Sequence, residues 1–310
     1  MNYTIKISRD NDDRRLDRFL RTTFKWVTLG EIMRAIRKGE IKINSLRSKK
    51  PDTHIYEGDE ITIPSRFKQD NVDSEITKKY YDFGRVKIIY QSENVLILNK
   101  PAGILVQPDI ANGDSIVTRA KDLFNNAFAV HRLDRNTTGV LVVALHGDSL
   151  RALEKLFKER SVKKFYIAVV SGEIKNNNAF EINAPLRKYP DDNLVKVDNN
   201  EGLPALTKCK KLAGDSEYSL VKLELLTGRT HQARVHMAHV KHPIIGDRKY
   251  GIFSDKANKN IKRPLLHAYE LEFPEDLHPS IKELNGKIFK APLPQDIQDF
   301  INNRNWKITL

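Results

Sequence analysis

Short apolar runs, joined mostly by short polar connections, constrain the fold of this chain more than any other feature. They recur through residues 86–310, and each is four to nine residues long, which suits a strand better than a helix. Helical spacing of apolar residues is clearest in two stretches, 149–160 and 231–240. We therefore predict an α+β fold with a mixed, largely antiparallel sheet and flanking helices, and not a doubly wound parallel sheet. The predicted strands cover residues 86–90, 95–98, 140–144, 166–170 and 218–226.

A charged loop comes directly before the apolar run at 140–144. Residues 131–139 read His-Arg-Leu-Asp-Arg-Asn-Thr-Thr-Gly, and Asp134 is the only carboxylate within eleven residues on either side. Because Arg132 and Arg135 flank it, we expect opposite charge to lower the pKa of Asp134, which would then be ionised at neutral pH. An Asp that caps a turn and is neutralised by a neighbouring Arg would explain the same residues without any chemistry.

The string from His131 to Asp134, followed two residues later by Thr-Thr-Gly, resembles the catalytic signature of the RluA-type pseudouridine synthases. Three further stretches resemble motifs of that family in the same order, and the resemblance covers roughly residues 86–295. Two positions depart from the pattern: Thr138 stands where Ser is common, and Ala233 where a larger aliphatic residue is usual. The further stretches are Lys-Pro-Ala-Gly at 100–103, Lys-Phe-Tyr-Ile-Ala at 164–168 and Gly-Arg-Thr-His-Gln-Ala-Arg-Val-His at 228–236, followed by His-Pro-Ile-Ile-Gly-Asp at 242–247 and Tyr-Gly at 250–251.

Members of this family convert uridine in RNA to pseudouridine, and the resemblance implies roles for four residues. Asp134 would be the catalytic carboxylate, acting either as a nucleophile or as a base at the sugar; the sequence leaves both open. Arg234 would be its fixed cationic partner. Tyr166 would pack against the target base; taken alone it would be an ordinary core aromatic, but its place in Lys-Phe-Tyr-Ile-Ala favours stacking. Arg132 would hold phosphate and fill the space left by an everted uridine, or be simple surface charge.

The positive charge of the chain is concentrated near its N-terminus. The formal net charge is +13, and residues 14–50 hold twelve Lys or Arg against three acids, an excess of nine. Helical spacing at 15–21 and 29–39 and alternation at 41–43 and 60–63 predict two short helices and two strands. This pattern resembles the S4 RNA-binding domain, although a solvated basic face would also explain the charge. The candidate RNA contacts are Arg15, Arg18, Arg34, Arg37 and Lys38, together with Arg229 further along the chain.

Three segments follow from these patterns. We predict an S4-like RNA-binding domain at 1–64, a polar linker at 65–85 and a pseudouridine synthase catalytic domain at 86–310. A chain of 310 residues exceeds the usual size of one domain, so a division is expected. Within the last segment, the polar stretches 176–178 and 191–201 are predicted to be exposed loops.

A metal site could be built from four histidines that lie close in sequence: His231, His236, His239 and His242. One alternative function is therefore an RNA hydrolase that uses this cluster. No Glu lies among them in the arrangement of zinc enzymes, and nearby Arg and Lys side chains would repel a cation. The single cysteine, Cys209, excludes an internal disulfide and a cage of thiolates. We therefore expect no metal and no cofactor, and the family resemblance implies none.

Composition also limits the partner and the compartment. The basic charge favours a polyanion, either nucleic acid or an acidic membrane surface. No apolar run is long enough to span a bilayer and the N-terminus lacks a signal-peptide core, so we expect a cytoplasmic protein with no membrane role. The resemblance implies large-subunit (23S) ribosomal RNA, free or in a pre-ribosomal particle, as the partner, and a monomer is favoured. The other alternative is a catalytically silent RNA-binding ribosome-assembly factor.

Overall fold

A computed structural model describes the chain at residues 2–24, 27, 29–48, 50–67, 86–109, 113–124, 126–175, 178–189, 194–251, 261–308 and 310. The chain divides into two compact units, Met1–Asp82 and Phe83–Leu310. The second unit contains all four motifs of the family resemblance.

The first unit is a small α+β fold whose strands are β1 (Asn2–Lys6), β2 (Arg14–Arg15), β3 (Lys42–Ile43), β4 (Leu46–Arg47), β5 (His54–Ile55) and β6 (Glu60–Pro64), and whose helices are α1 (Leu16–Thr23) and α2 (Leu29–Arg37). Four strands form an antiparallel sheet in the order β1-β6-β3-β4. The remaining two, β2 and β5, pair with each other.

Both helices of the first unit bury one face and leave basic residues exposed. Leu16 and Leu20 of α1 are buried in one cluster with Ile32 and Ile36 of α2, at the four-residue spacing of a helix face. The same cluster contains Ile61 of β6, so the helices pack on the sheet. The two helices predicted from apolar spacing are therefore confirmed, with ends that differ by about two residues.

The predicted linker begins inside the first unit. Residues Ser65–Phe67 form a short 3₁₀ helix, and the ring of Phe67 lies 5.8 Å from that of Phe24. Because Phe67 is buried in the core, the folded part of this unit continues past the predicted boundary at residue 64. The rest of the predicted linker, residues 68–85, lies outside the described residues.

The second unit is built on a ten-stranded sheet with the path β12-β15-β16-β11-β17-β10-β8-β7, and β18 and β9 join it beside β17 and β10. The pairings are antiparallel except that of β10 with β17, which is parallel. The predicted mixed, largely antiparallel sheet is confirmed. Its strands are β7 (Lys87–Gln91), β8 (Val95–Lys100), β9 (Phe128–Ala129), β10 (Thr138–Ala144), β11 (Lys163–Ser171), β12 (Phe180–Asn183), β15 (Leu206–Gly214), β16 (Tyr218–Leu225), β17 (Leu266–Glu272) and β18 (Ile288–Lys290); β13 (Leu186–Tyr189) and β14 (Leu194–Val197) form a separate pair, and the helices are α3 (Ile116–Leu123), α4 (Gly147–Lys158), α5 (Gln232–His239) and α6 (Gln295–Asn303).

Helices cover both faces of the central strand β11. Ala168 is buried in a cluster with Ala233 and Met237 of α5, whereas the next residue along the strand, Val169, is buried in a cluster with Ile297 of α6. Alternate residues of a strand point to opposite faces, so α5 and α6 lie on opposite sides of the sheet. Helix α5 contains most of the motif at 228–236 and brings it to the face of β11 that also bears Tyr166.

A glycine permits the close crossing where β10 enters the sheet. Gly139 has φ +115°, and a Cβ there would lie 2.0 Å from the carbonyl oxygen of Ala268 on β17. No other residue fits this conformation and this gap. The crossing fixes the end of the charged loop that begins at His131.

One sequence prediction fails in this unit. Residues 191–201 were expected to form an exposed loop, but residues 194–197 form β14, in which Val195 is buried together with Leu186 and Val235. The apolar partners that make this strand come from β13 and α5, and local composition does not reveal them. Residues 191–193 and two residues of the other predicted loop, 176 and 177, lie outside the described residues.

Among the residues that the structure describes, no helix has both the length and the apolar character needed to cross a membrane.

Candidate active site

The loop that presents Asp134 is anchored by the histidine at its start. Beyond β9 the chain leaves the sheet, and the Nε2 of His131 accepts a 3.0 Å hydrogen bond from the backbone N–H of Val142. The imidazole also stacks on the ring of Phe157 in α4, with 4.6 Å between ring centres. Burial, with a smaller contribution from the charge of Lys164, lowers the pKa of His131 to about 3, so the ring is neutral. Neutral His131 therefore anchors the start of the loop to β10, because its ring accepts the hydrogen bond of the Val142 N–H.

Asp134 is paired with an arginine one hundred residues away. Nη1 of Arg234 on α5 donates to Oδ2 of Asp134 at 3.0 Å. The same guanidinium donates through Nε and Nη2 to both oxygens of Asp247, at 2.7 and 2.8 Å, and the side chain of Asp247 is fully buried. Burial by itself lowers the pKa of Arg234, but hydrogen bonds and charge from Asp247 and Asp134 raise it above its ordinary value. Arg234 is thus a permanent cation whose position is set by Asp247.

The two arginines beside Asp134 in sequence are not its partners, contrary to the sequence prediction. Nε of Arg135 donates to the carbonyl of Gly103 at 3.0 Å, and the N–H of Gly103 donates back to the carbonyl of Arg135. Arg132 is exposed and makes no ion pair with any described residue. Neither arginine therefore forms an ion pair with Asp134 among the described residues, and Arg135 instead holds the turn at Gly103.

A buried lysine joins the Lys-Pro-Ala-Gly motif at 100–103 to the same loop. Lys100 is fully buried, and its Nζ donates to the carbonyls of Pro101, Ile104 and Arg135 at 2.9 to 3.0 Å. Burial lowers the pKa of Lys100 to about 7, and the negative charge of Asp134 opposes that shift. All three N–H groups of the ammonium are used, so Lys100 links the loop of Asp134 to the turn after β8.

His231 approaches Asp134 from the start of α5. Its Nε2 lies 3.7 Å from Oδ2 of Asp134, and its Nδ1 lies 2.8 Å from the hydroxyl of Tyr250. The hydroxyl oxygen of Tyr250 also accepts a hydrogen bond from the backbone N–H of Val195, so Tyr250 fixes the imidazole beside Asp134. Burial lowers the pKa of His231, although the charge of Asp134 works against it. Sequence reasoning missed this role for His231 and Tyr250, although both lie in quoted motifs.

Asp134 lies on the wall shared by two cavities, of about 510 and 250 Å³. Tyr166, Arg132 and Arg229 line the smaller one, and Arg234 lines the larger one. Burial, and then the charge of Asp134, raise the pKa of Tyr166, so its phenol stays protonated. The structure thus brings the predicted site residues of the second unit together around one carboxylate.

The larger cavity is lined by cations. Asp134 is the one carboxylate among the described residues of its wall, against seven basic side chains. Sequence reasoning did not identify four of them, Lys188, Arg248, Lys249 and Lys262, which come from three segments that only the fold brings together. The seven are Arg132, Arg135, Lys188, Arg234, Arg248, Lys249 and Lys262.

In the first unit, the predicted RNA contacts fall into two groups. Arg15 is held by Asp17 through two hydrogen bonds, of 3.1 and 2.9 Å. The other four are exposed and make no ion pair with a described residue; they are Arg18, Arg34, Arg37 and Lys38. Their role in RNA binding stays a prediction.

The four histidines that invited a metal site do not converge. Both ring nitrogens of His236 are engaged, with Thr207 and the carbonyl of Ala184, at 2.9 Å each, and Nδ1 of His242 lies 2.9 Å from the carbonyl of Ser171. Within the described ranges, no three His, Cys, Asp or Glu side chains are grouped as metal ligands would be. The geometry therefore contradicts a hydrolase site built on this cluster.

Comparison with known proteins gives a consistent result. A sequence profile described as RNA pseudouridylate synthase matches residues 94–239. The chain is 34% identical over 292 residues to ribosomal large subunit pseudouridine synthase C of Vibrio parahaemolyticus, covering 91% of each chain. It is 32% identical over 305 residues to the Escherichia coli protein of that name, covering 94% of this chain and 92% of the other. The solved structure of human RNA pseudouridylate synthase domain containing 1 is 27% identical, with a TM-score of 0.53, over 71% of this chain and 94% of that chain.

Proposed function

This chain belongs to the RNA pseudouridylate synthase family, and we propose on that premise that it isomerises specific uridines of large-subunit (23S) ribosomal RNA, with Asp134 as the catalytic carboxylate. The relatives named ribosomal large subunit pseudouridine synthase C support this choice of RNA. The reaction detaches uracil from C1′ of the ribose and reattaches it through C5. Atoms are conserved, so the chemistry requires no co-substrate.

The pairing of Asp134 carries the proposal. Arg234 holds Oδ2, whereas Oδ1 accepts no hydrogen bond from a described residue, and the side chain is 26% exposed at the cavity wall. A fixed carboxylate with one open oxygen can attack C1′ or remove a proton from the sugar, and it stabilises positive charge there in either case. Because Arg234 is itself fixed by Asp247, the open oxygen has a defined position.

Tyr166 offers an aromatic face and not a base. Its raised pKa keeps the phenol neutral, and it lines the 250 Å³ cavity beside Asp134. Stacking on an aromatic ring contributes about 1–3 kcal/mol per base, which would hold uracil while it is detached from the sugar. We assign Tyr166 to packing against the target base.

The cations around the larger cavity suit the RNA backbone on both sides of the target. Arg132, Lys188, Arg248 and Lys262 form no ion pair with a described residue, so each is available to a phosphate. Eversion of the uridine costs a few kcal/mol. Charge-assisted contacts at this rim, with Arg132 filling the vacated stack, offset that cost.

Replacement of the carboxylate tests the proposal. We expect Asp134→Asn to lower pseudouridine formation by at least ~10⁴-fold, as for the loss of a group that takes part in bond making, because the amide keeps the shape but not the charge. The assay is release of tritium from C5 of uridine in unmodified 23S transcript, with RNA affinity measured in parallel and expected to stay within about threefold. Asp148→Asn, an exposed carboxylate on α4 that pairs with Arg151, is the matched control and should keep full activity.

The same assay separates the alternative. A silent assembly factor would bind the transcript without releasing tritium in any variant. Substantial turnover by Asp134→Asn would overturn the assignment of the carboxylate. Activity in the presence of EDTA should be unchanged, because the residues that carry the proposal include no group of metal ligands.

A further inference from the structure

The smaller cavity contains a buried lysine that is paired with none of the residues described by the structure. Lys164 is 9% exposed and lines the 250 Å³ cavity together with Asp134 and Tyr166. No hydrogen bond or ion pair joins it to a described residue. Every fully buried side-chain nitrogen and oxygen of the described residues has a hydrogen-bond partner, so the Lys164 ammonium is not fully buried, and the residue lines this cavity.

The strand places this ammonium on the substrate side of the sheet. Lys164 and Tyr166 are alternate residues of β11 and share its face toward α5, whereas Lys163 and Phe165 share the other face. Lys163 is 61% exposed in its side chain and pairs with Glu272 at 3.0 Å. Two adjacent lysines therefore differ in one respect: one is neutralised at the surface, and the other faces the cavity without a counter-ion.

Among the described residues, none forms an ion pair that neutralises Lys164. Burial lowers the pKa of Lys164, the charge of Arg160 lowers it further, and only the charge of Glu224 opposes them. Glu224 pairs with Phe165 across β11 and β16, on the face turned away from the cavity. Asp134 is already held by Arg234. A buried cation without a partner lowers the stability of the fold, so its presence in the cavity points to a ligand that becomes negative there.

The reaction produces such a group. When the bond from C1′ to N1 breaks, the electron pair stays on uracil, and the detached base carries one negative charge spread over N1, O2 and O4. The new bond then forms between C5 and C1′, the proton leaves C5, and N1 gains a proton. The charge on the base therefore exists only between bond breaking and bond making, when the base is confined to the cavity.

We propose that Lys164 is a further catalytic residue, whose ammonium donates a hydrogen bond to an oxygen of the detached uracil and stabilises its negative charge. This inference rests on the proposed function. Loss of one donor to a developing oxyanion in a closed site costs about 100- to 1000-fold in rate. Because the charge develops only after the base leaves the sugar, the lysine affects the chemical step and contributes little to binding of the ground state.

The test compares Lys164→Met with Lys163→Met on the same 23S transcript. Single-turnover tritium release at saturating protein should fall about 100-fold for Lys164→Met, with RNA affinity within about threefold, and should stay within about twofold of wild type for Lys163→Met. Lys164→Arg should recover part of the rate. The melting temperature of Lys164→Met should not fall, because Met has a similar shape and removes a buried charge.

Each result has one meaning. A wild-type rate for Lys164→Met would overturn the inference, and so would an equal loss of affinity and rate, which would indicate a phosphate contact. Absence of product from the wild-type protein would instead overturn the proposed function.

Discussion

The tetrapeptide Arg-Leu-Asp-Arg occurs once in each unit, at 15–18 and at 132–135, with a different outcome. In the first unit, Arg15 donates two hydrogen bonds to Asp17 two residues away, so both carboxylate oxygens are engaged by a neighbour in sequence. In the second unit, Asp134 is held by Arg234, one hundred residues away. The same four residues therefore make a local structural ion pair in one place and a fixed, open carboxylate in the other. The difference lies in the partner that the fold supplies.

Changing the partner gives the largest expected effect on this comparison. Arg234→Lys keeps the charge but loses the fork that joins Asp247 to Asp134, so we expect the rate of pseudouridine formation to fall about 100- to 1000-fold. Arg15→Lys, at a side chain that is 42% exposed, should leave the rate within about twofold, since exposed ion pairs contribute little. Equal losses in the two variants would show that the two Asp residues are not used differently.

Removing the first unit isolates the chemistry of the second. Without Met1–Asp82 the chain keeps Asp134, Tyr166 and Arg234 and should retain slow, less selective turnover on short uridine-containing stem-loops. RNA affinity should fall and its salt dependence should flatten by roughly one slope unit for each lost phosphate contact among Arg18, Arg34, Arg37 and Lys38. Affinity is measured at several salt concentrations with and without the unit. Identical slopes would make the basic face a solvated surface.

Much of the first unit could be predicted because its information is local. The apolar spacing of α1 and α2 and the alternation of β6 are visible in neighbouring residues. The site in the second unit could be named only through the family motifs, because its contacts join distant segments. No local pattern shows that the ring of His131 completes a strand ladder at Val142, that Tyr250 orients His231, or that Lys100 caps three carbonyls. Strand β14 was missed for the same reason.

Asp17→Asn tests the structural outcome of the tetrapeptide. We expect the free energy of unfolding of the first unit to fall by about 1–2 kcal/mol, the cost of weakening a charged hydrogen bond at a partly exposed pair. The rate of pseudouridine formation under single-turnover conditions should be unchanged. Urea unfolding and the tritium assay check the two statements, and a catalytic defect at unchanged stability would contradict them.

The smallest expected effect is a pH dependence of the loop anchor. The pKa of His131 is about 3 in the folded chain, against about 6.5 unfolded, so between these values the unfolded chain binds the extra proton. The stabilising effect of neutral His131 is complete above pH 6.5 and declines as pH falls. Thermal unfolding between pH 7.5 and 5 should show this decline, and His131→Gln, which can still accept from Val142, should flatten it. If the pH dependence of the melting temperature is unchanged in that variant, His131 does not cause the decline.

The hydrogen-bonded side chains of Asp134, Arg234 and Asp247 make the inside of the site electrostatically different from its entrance. The side chains of Asp134 and Asp247 share the guanidinium of Arg234, so acidic groups outnumber basic ones by one beneath a rim of basic side chains. A phosphate is attracted at the entrance and repelled at the floor, whereas a neutral uracil meets no such barrier. On the proposed function, we expect this distribution of charge to keep the RNA backbone at the mouth of the cavity while an uncharged base enters, whatever the sequence of the RNA.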